Sequence, residues 1–502
     1  MRGVKVLIAN RGEIAVRVIR ACREMGFPTV AVYSDADVAA LHVVYADQAL
    51  PIGPAPSRES YLRIDRIIYA AKKSGADAIH PGYGFLAENA AFARACREAG
   101  LIFIGPSPES IEAMGSKTES RQRMKAAGVP IVPGLTEAVK SVDEIADFAR
   151  TAGYPIMIKA SAGGGGKGLR FVEREADLRS AYERVTSEAQ SFFGDGAVYA
   201  EKFVATPRHI EVQVLGDQHG NIVHIGEREC SLQRRHQKVI EECPSPVVDA
   251  ELRERLGAMA VQAARAVNYY SAGTIECLMG ADRQFYFLEM NTRLQVEHPV
   301  TEMVWGVDIV KAQLRIAAGE KLWFSQGDLK PGGHAIECRI YAEDPSRKFA
   351  PSPGLIRYIN LPEGPGVRND DGVYAGYMVP VFYDPMLSKL IVHGMTRQEA
   401  IARMRRALNE YRVDGIETTV PLFTWIMNNP DFAAASFDTG FIDRILPQID
   451  FQHVGAREGE LDAAIAAAAI MAFEDSQRVR LPENAGSNWK RAARLEALRG
   501  PS

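Results

Sequence analysis

The sequence predicts a multidomain protein of mixed α/β and α+β architecture, and three observations carry that expectation. The chain has 502 residues, well beyond one hydrophobic core at about 100–200 residues per domain. Up to about residue 105, short apolar strands alternate with segments of helical periodicity, the pattern of a parallel, doubly wound sheet. From about Met114 to Gly319 hairpins, glycines and alternating polar residues dominate, and from Gly332 to about Leu446 strands mix with a helix. The expected divisions are 1–113, 114–330 and 331–446, with a helical tail over 447–502.

Val4–Ala9 reads as the first strand, and Ile14, Val18, Cys22 and Met25 recur at helical spacing until Gly26 stops the helix. Thr29–Tyr33, Ala76–His80 and Leu101–Ile104 follow as strands, with helices at Leu62–Lys73 and Ala90–Ala99. The loop Asn10-Arg11-Gly12-Glu13 lacks G-x-G-x-x-G and reads as a structural turn. His209–Val214 alternates strictly, placing His209, Glu211 and Gln213 on one face. Helices are expected at Glu251–Ala266, Ile309–Ala318 and Arg397–Tyr411, and strands at His334–Tyr341, Leu355–Tyr358 and Lys389–His393. Beyond residue 450 come an alanine-rich helix, a polar break at Leu481–Ser487 and a basic stretch around Trp489. The stretch Trp489–Arg499 reads equally as a docking segment or a terminal helix.

Composition excludes several classes. Fifty-nine basic against 63 acidic residues give a net charge of −4, so no polyanion-binding surface covers the protein and nucleic acid is not an expected partner. The longest apolar run, Ala463–Phe473, is eleven residues, against about 20 for a bilayer span. The apolar stretch Val6–Ala9 is short for a signal peptide. Six scattered cysteines without C-x-x-C spacing suit a reduced, cytoplasmic setting.

Three constellations carry chemistry. In the first, the strand ending Ile158-Lys159 runs into Gly163–Gly166, Lys167 and Gly168, and a second strand begins at Leu169. Glycines let backbone N–H groups approach phosphate oxygens and lysines neutralise the charge. Lys167 is followed by glycine rather than Ser or Thr, so this is no Walker loop. A phosphate-covering flap is favoured over a flexible hairpin tip.

The second spans Gly273 to Pro299. A turn at Asp282-Arg283 sets Gly280 against Phe285, Leu278 against Phe287 and Glu276 against Glu289. Opposed carboxylates repel, and a divalent cation removes the conflict; with Asn291, the oxygen set suits Mg²⁺ on substrate phosphates. Glu289, Asn291, Arg293, Gln295 and Glu297 share one parity and hence one face while the chain stays extended. A solvated edge strand is the alternative.

The third, Glu227–Lys238, ends in Gln233-Arg234-Arg235-His236-Gln237-Lys238. It reads as a basic surface turn or as an anion site; without stacking aromatics a nucleic-acid patch is disfavoured. Weaker signals are Lys117 after Met114-Gly115-Ser116, Glu201–Val204 at a strand end, the turn His80–Leu86 with Tyr83, and Arg339 in Glu337–Tyr341. No Ser/His/Asp or cysteine nucleophile stands out.

Together these residues resemble the biotin carboxylase family of the ATP-grasp superfamily, over about residues 3–446. The carriers are Ala9–Ala15, His80–Leu86, Lys159–Gly168, Gln233–Lys238, Glu289–Glu302 and Glu337–Ile340. The resemblance implies a Rossmann-like N-terminal domain, an ATP-grasp domain with a glycine-rich lid over about 131–203, and a mixed α+β C-terminal domain. Lys117, Lys159, Gly165 and Gly166 would contact ATP phosphates. Leu169, Glu201, Lys202, Phe203 and Val204 would hold adenine, and His209, Gln233 and His236 would touch the nucleotide. Glu276, Glu289 and Asn291 would bind two Mg²⁺ (or Mn²⁺) ions. Arg293, Gln295, the Val296 backbone and Lys238 would hold bicarbonate, Glu297 would be general base, Arg339 would stabilise the biotin oxyanion, and Tyr83 would lie near the biotin ring. Phosphate, formed when carboxyphosphate breaks down, would deprotonate biotin.

Departures are small: Ala162 for a frequent glycine, Ser116 for aspartate and Cys277 for phenylalanine. No biotin-attachment lysine context is present, so the expected partners are a biotin carboxyl carrier protein or domain, a second copy of the chain and a carboxyltransferase subunit. Tyr383–Leu387 and the tail lean toward an acyl-CoA or pyruvate carboxylase subunit. The competing readings are another carboxyphosphate-forming ATP-grasp ligase, disfavoured by Arg339 and the Arg293/Gln295/Glu297 set, and a non-catalytic nucleotide-binding subunit.

Overall fold

Val6–Ile8 (β1) lies at the centre of a parallel sheet with Thr29–Ser34 (β2), Gln48–Gly53 (β3), Ala78–His80 (β4) and Ile102–Phe103 (β5), in the order β3-β2-β1-β4-β5. Val6 and Ile8 pack with Ile14 and Val18 of the helix Gly12–Glu24. Leu7 and Ala9 point the other way, toward Ile67 and Phe92 of the helices Ile64–Ser74 and Ala90–Glu98. Burial on both faces explains why these strands are continuously apolar. β3 is the strand that sequence pattern misses: it contains Pro51, tolerated because β3 is an edge.

The computed structural model describes residues 3–161, 168–451, 454, 460–477 and 488–497. Residues Met1–Gln452 form one unit and His453–Ser502 a second. Within the second, Glu460–Gln477 and Asn488–Ala497 are helices; the expected break at Leu481–Ser487 lies outside the described residues.

Ile156–Ala160 (β6), Leu169–Val172 (β7) and Val198–Lys202 (β8) form an antiparallel sheet with β6 central, backed by the helices Val142–Ala152 and Leu178–Phe193. Gly165 and Gly166, between β6 and β7, lie outside the described residues, as does Ala162.

The largest layer is an eight-stranded sheet. Its strands are Arg208–Gly216 (β9), Ile222–Arg234 (β10), Gln237–Cys243 (β11), Ser271–Met279 (β12), Phe285–Asn291 (β13), His334–Tyr341 (β14), Val367–Asp371 (β15) and Met386–Gly394 (β16), in the order β13-β12-β9-β10-β11-β14-β16-β15. The ladder crosses residue 330 without interruption, because β11 pairs with β14 at Ile240↔Cys338. Gly226 forms a bulge in β10 with φ 66°, and a Cβ there would lie 2.2 Å from the Trp305 ring. The strand expected over Leu355–Tyr358 is instead two short ones, Gly354–Leu355 and Tyr358–Asn360. Between them Ile356 is buried, and its N–H donates to Tyr377 while that of Arg357 donates to Asp414.

Candidate functional site

β9 presents His209, Glu211 and Gln213 on one face, and all three are buried. Glu211 pairs in register with Arg228 of β10 on one side and Glu276 of β12 on the other. Arg228 is fully buried, and a guanidinium survives there only because its donors are satisfied. Its Nε donates to Glu211 at 2.5 Å, and its terminal nitrogens donate to Gln213 at 2.8 Å, Thr301 at 2.9 Å and Gln295 at 2.6 Å. Sequence reading assigned no role to Arg228 or Glu211; the strict alternation of His209–Val214 is the available signal for Glu211, and Arg228 carries none.

The hairpin of β12 and β13 does set Glu276 opposite Glu289, by a different route from the expected one. The turn spans Gly280–Gln284, with Met279 opposite Phe285, Leu278 opposite Tyr286 and Cys277 opposite Phe287. A bulge between Cys277 and Glu276 then shifts the register by one and restores the carboxylate pair. The expected extended face does not continue either: β13 ends at Asn291, and Arg293, Gln295 and Glu297 lie on the loop that leads into the helix His298–Trp305. Side-chain bonds do the gathering instead. Arg293 donates to Asn291 Oδ1 at 2.7 Å and to Glu88 at 2.9 Å, while Gln295 Nε2 donates to Glu276 at 2.7 Å and Asn291 at 3.1 Å.

Lys238, near the start of β11, is the hub. Its Nζ donates to Glu211 at 2.5 Å, Glu276 at 2.8 Å and Glu297 at 2.7 Å. Burial alone would lower its pKa, but these carboxylates outweigh burial and hold it well above the usual lysine value. Glu297 bonds Arg339 of β14 through its other oxygen, at 2.9 Å. Burial would raise the Glu297 pKa, yet Lys238, Arg339 and Arg228 hold it well below the carboxylate range, so Glu297 is ionised at neutral pH. Arg339 also lies 2.6 Å from Glu241, whose carboxyl burial pushes up to about 7.

The residues expected at the nucleotide lie nearby. Ser116 caps the helix Lys117–Ala126, which puts Lys117 in its first turn. Burial lowers the Lys117 pKa, with Glu289 opposing and Lys159 reinforcing the effect. Lys159 pairs with Glu201, which Arg121 also holds at 3.0 Å. The N–H groups of Lys202 and Phe203 already donate to Pro133 and Pro155, whereas Leu169, Phe203 and Val204 are half-buried. His209 Nε2 is 3.2 Å from Glu276, and the Gln233 amide turns back to the Cys230 carbonyl. His236 sits exposed in the turn between β10 and β11. The Tyr83 ring lies 5.9 Å from the Lys389 ammonium, and its buried hydroxyl has no partner among the described residues.

The acidic set fits a hard divalent cation. Burial, and then the charge of Glu276, raises the Glu289 pKa, the unrelieved repulsion a cation would remove. Among the described residues, the ligand atoms of His209, Glu211 and Glu276 do lie close enough together for a metal, but the Lys238 ammonium is already bonded to both carboxylates.

Three family models cover most of the chain: the biotin carboxylase N-terminal domain over residues 3–111, the carbamoyl-phosphate synthase L chain ATP-binding domain over 116–324, and the biotin carboxylase C-terminal domain over 337–444. The chain belongs to the biotin carboxylase family. Biotin carboxylase of Halalkalibacterium halodurans is 56% identical over 438 residues, 87% of this chain and 97% of that protein. The propionyl-CoA carboxylase alpha chain of Ruegeria pomeroyi is 49% identical over 487 residues, 93% of this chain and 71% of its own length. Among solved structures, the biotin carboxylase domain dimer of Hydrogenobacter thermophilus 2-oxoglutarate carboxylase, with MgADP and bicarbonate, matches at a TM-score of 0.85. It is 48% identical and covers 90% of this chain and 99% of that one. The architecture that matches that structure combines a parallel N-terminal sheet with a large antiparallel one. No helix among the described residues is long and apolar enough to cross a membrane.

Proposed function

We propose that this chain carries out the first half-reaction of a biotin-dependent carboxylase, the MgATP-dependent carboxylation of biotin by bicarbonate. The observation that carries this reading is the Glu297 carboxylate held between Lys238 and Arg339 beside the Asn291–Arg293–Gln295 cluster. A small anion entering among Lys238, Arg293 and Arg339 competes for the cations that hold Glu297. Loosening those ion pairs raises the basicity of Glu297, which is ionised and placed to take the bicarbonate proton.

Glu276, Glu289 and Asn291 would hold Mg²⁺ or Mn²⁺, which supplies charge neutralisation to the ATP phosphates. Lys117 and Lys159 approach the same phosphates, and Leu169, Phe203 and Val204 offer half-buried apolar surface for adenine, with Glu201 and Lys202 fixing that strand end. Bicarbonate attacks the γ-phosphate of ATP, ADP leaves and carboxyphosphate forms, and exclusion of water keeps that intermediate from hydrolysis. Carboxyphosphate breaks down to CO₂ and phosphate, the phosphate takes the N1′ proton of biotin, and the ureido anion so formed attacks CO₂. Arg339 then faces the developing ureido oxyanion, with Tyr83 against the ring. The biotin rides on a carrier protein or domain, a carboxyltransferase subunit uses the product, and two copies of the chain pair. The divisions at about 113, 330 and 446 separate the parts that bring Tyr83, the nucleotide residues and Arg339.

The test is phosphate release from MgATP with bicarbonate, with and without free biotin, in the wild-type protein and in Glu297→Gln. Stimulation by biotin that disappears in the variant is the expected result. Bicarbonate-dependent cleavage indifferent to biotin would instead mark another carboxyphosphate-forming ligase. The central family model takes its description from carbamoyl-phosphate synthase, which is what keeps that second reading specific.

A further inference from the structure

Lys389 of β16 is completely buried, yet nothing in the reaction above requires an ammonium there. A buried cation is costly to desolvate, so its contacts define what it does. The Nζ donates to the Val296 carbonyl at 2.9 Å and lies 3.3 Å from Glu13 and 3.8 Å from Asp370. Glu13 comes from the first turn of the helix Gly12–Glu24, and Asp370 faces Lys389 in the β15–β16 ladder. Arg339 is its register partner on β14. The Tyr83 ring closes another side, and the buried His298 and Glu337 are further charge neighbours.

Val296 sits between Gln295 and Glu297, on a loop with no regular secondary structure of its own. One carbonyl of that loop, Gln295, is held by His298 Nδ1 at 2.8 Å. The next is held by Lys389. These bonds fix the backbone carbonyls on either side of Val296, from which the Gln295 amide and the Glu297 carboxylate are aimed.

We propose that Lys389 is a positioning residue for bicarbonate: it clamps the Val296 carbonyl, and through Glu13 it registers the bicarbonate loop against the N-terminal helix. This rests on the assignment of Arg293, Gln295, Val296 and Glu297 to bicarbonate. Glu13 completes the clamp as the acidic group nearest the ammonium, at 3.3 Å; neither of its buried oxygens has a hydrogen-bond partner among the described residues. Lys389 neutralises Glu13 at close range, while Asp370 is shared with Arg368 at 2.8 Å.

The test compares Lys389→Met, Lys389→Arg and Glu13→Gln in the full chain. Steady-state ATP cleavage gives KM for bicarbonate and MgATP separately, and the bicarbonate-induced rise in melting temperature of the MgADP complex reads binding without turnover. Lys389→Met is expected to raise the bicarbonate KM about tenfold while leaving the MgATP KM within about twofold, and to abolish the bicarbonate-induced shift. Lys389→Arg, which keeps the donor, restores most of both. Glu13→Gln is isosteric and keeps the test decisive if Lys389→Met does not fold; its bicarbonate KM rises about threefold. An unchanged bicarbonate KM in the folded variants, or equal rises for bicarbonate and MgATP, overturns the clamp alone. Wild-type protein lacking bicarbonate-dependent cleavage overturns the assignment of the site and the clamp with it.

Discussion

Lys238 neutralises Glu211, Glu276 and Glu297 at once, so its removal does more than delete a ligand contact. Lys238→Met leaves buried carboxylates uncompensated and is expected to cost about 3–5 kcal/mol of stability. The denaturant midpoint should fall accordingly, along with loss of ATP cleavage. Glu297→Gln removes one charge from a site that still holds Glu211 and Glu276, so it should lose turnover while the midpoint moves far less. Equal destabilisation by both would contradict the hub. At this scale the sequence was informative where chemistry is local to a hairpin: a turn at Asp282-Arg283 predicts Glu276 opposite Glu289, and that pair is found, although the turn is longer and a bulge restores the register. Arg228 was not legible, because a lone arginine in a polar run carries no sign that Gln213, Gln295 and Thr301, all distant in sequence, will surround it.

Strands and helices were legible wherever apolar periodicity was uninterrupted, as at His334–Tyr341 and in the helix Arg397–Glu410. Pattern failed where backbone geometry departs from period two. The expected face from Glu289 to Glu297 breaks at Asn291, and the bulge beside Glu276 compensates for a longer turn. Neither leaves a mark in side-chain polarity. Gly226 makes the same point in β10. Alanine there meets both a positive φ and the Trp305 ring, which costs about 2–3 kcal/mol. Thermal unfolding of Gly226→Ala should show it as a fall of several degrees. Because Arg228 lies two residues on, activity should also drop at temperatures where the variant remains folded.

Across the whole molecule, Glu302 of the helix His298–Trp305 joins Arg17 of the N-terminal helix at 2.9 Å and Arg368 of β15 at 2.8 Å. Burial would raise its carboxyl, but Arg17, His298 and Arg368 hold it at about 2, below its ordinary 4.5. A depressed carboxylate stabilises the fold above its unfolded pKa, and that contribution disappears as pH falls through the folded value. Stability should therefore decline between about pH 4.5 and 2 by an amount on the order of 3 kcal/mol from this group. Unfolding of Glu302→Gln across that range should show a shallower pH dependence than wild type. Sequence reading divided the chain where composition changes and did not foresee that β11 and β14 would join one ladder, since strand partners as far apart in the chain as Ile240 and Cys338 share no local signal.

That ladder also acts as a ruler. Glu276 and Arg339 stand on β12 and β14, separated in the sheet by β9, β10 and β11. Four inter-strand steps of about 4.8 Å put roughly 19 Å between the two strands, measured across the sheet. Their side chains lean inward across that gauge and meet through Lys238 and Glu297. The pitch is set by peptide hydrogen bonds, which no side-chain replacement alters, so evolution can retune the chemistry at either end without changing the span. Between the Glu276 end and the Arg339 end lies only the short stretch that Lys238 and Glu297 occupy.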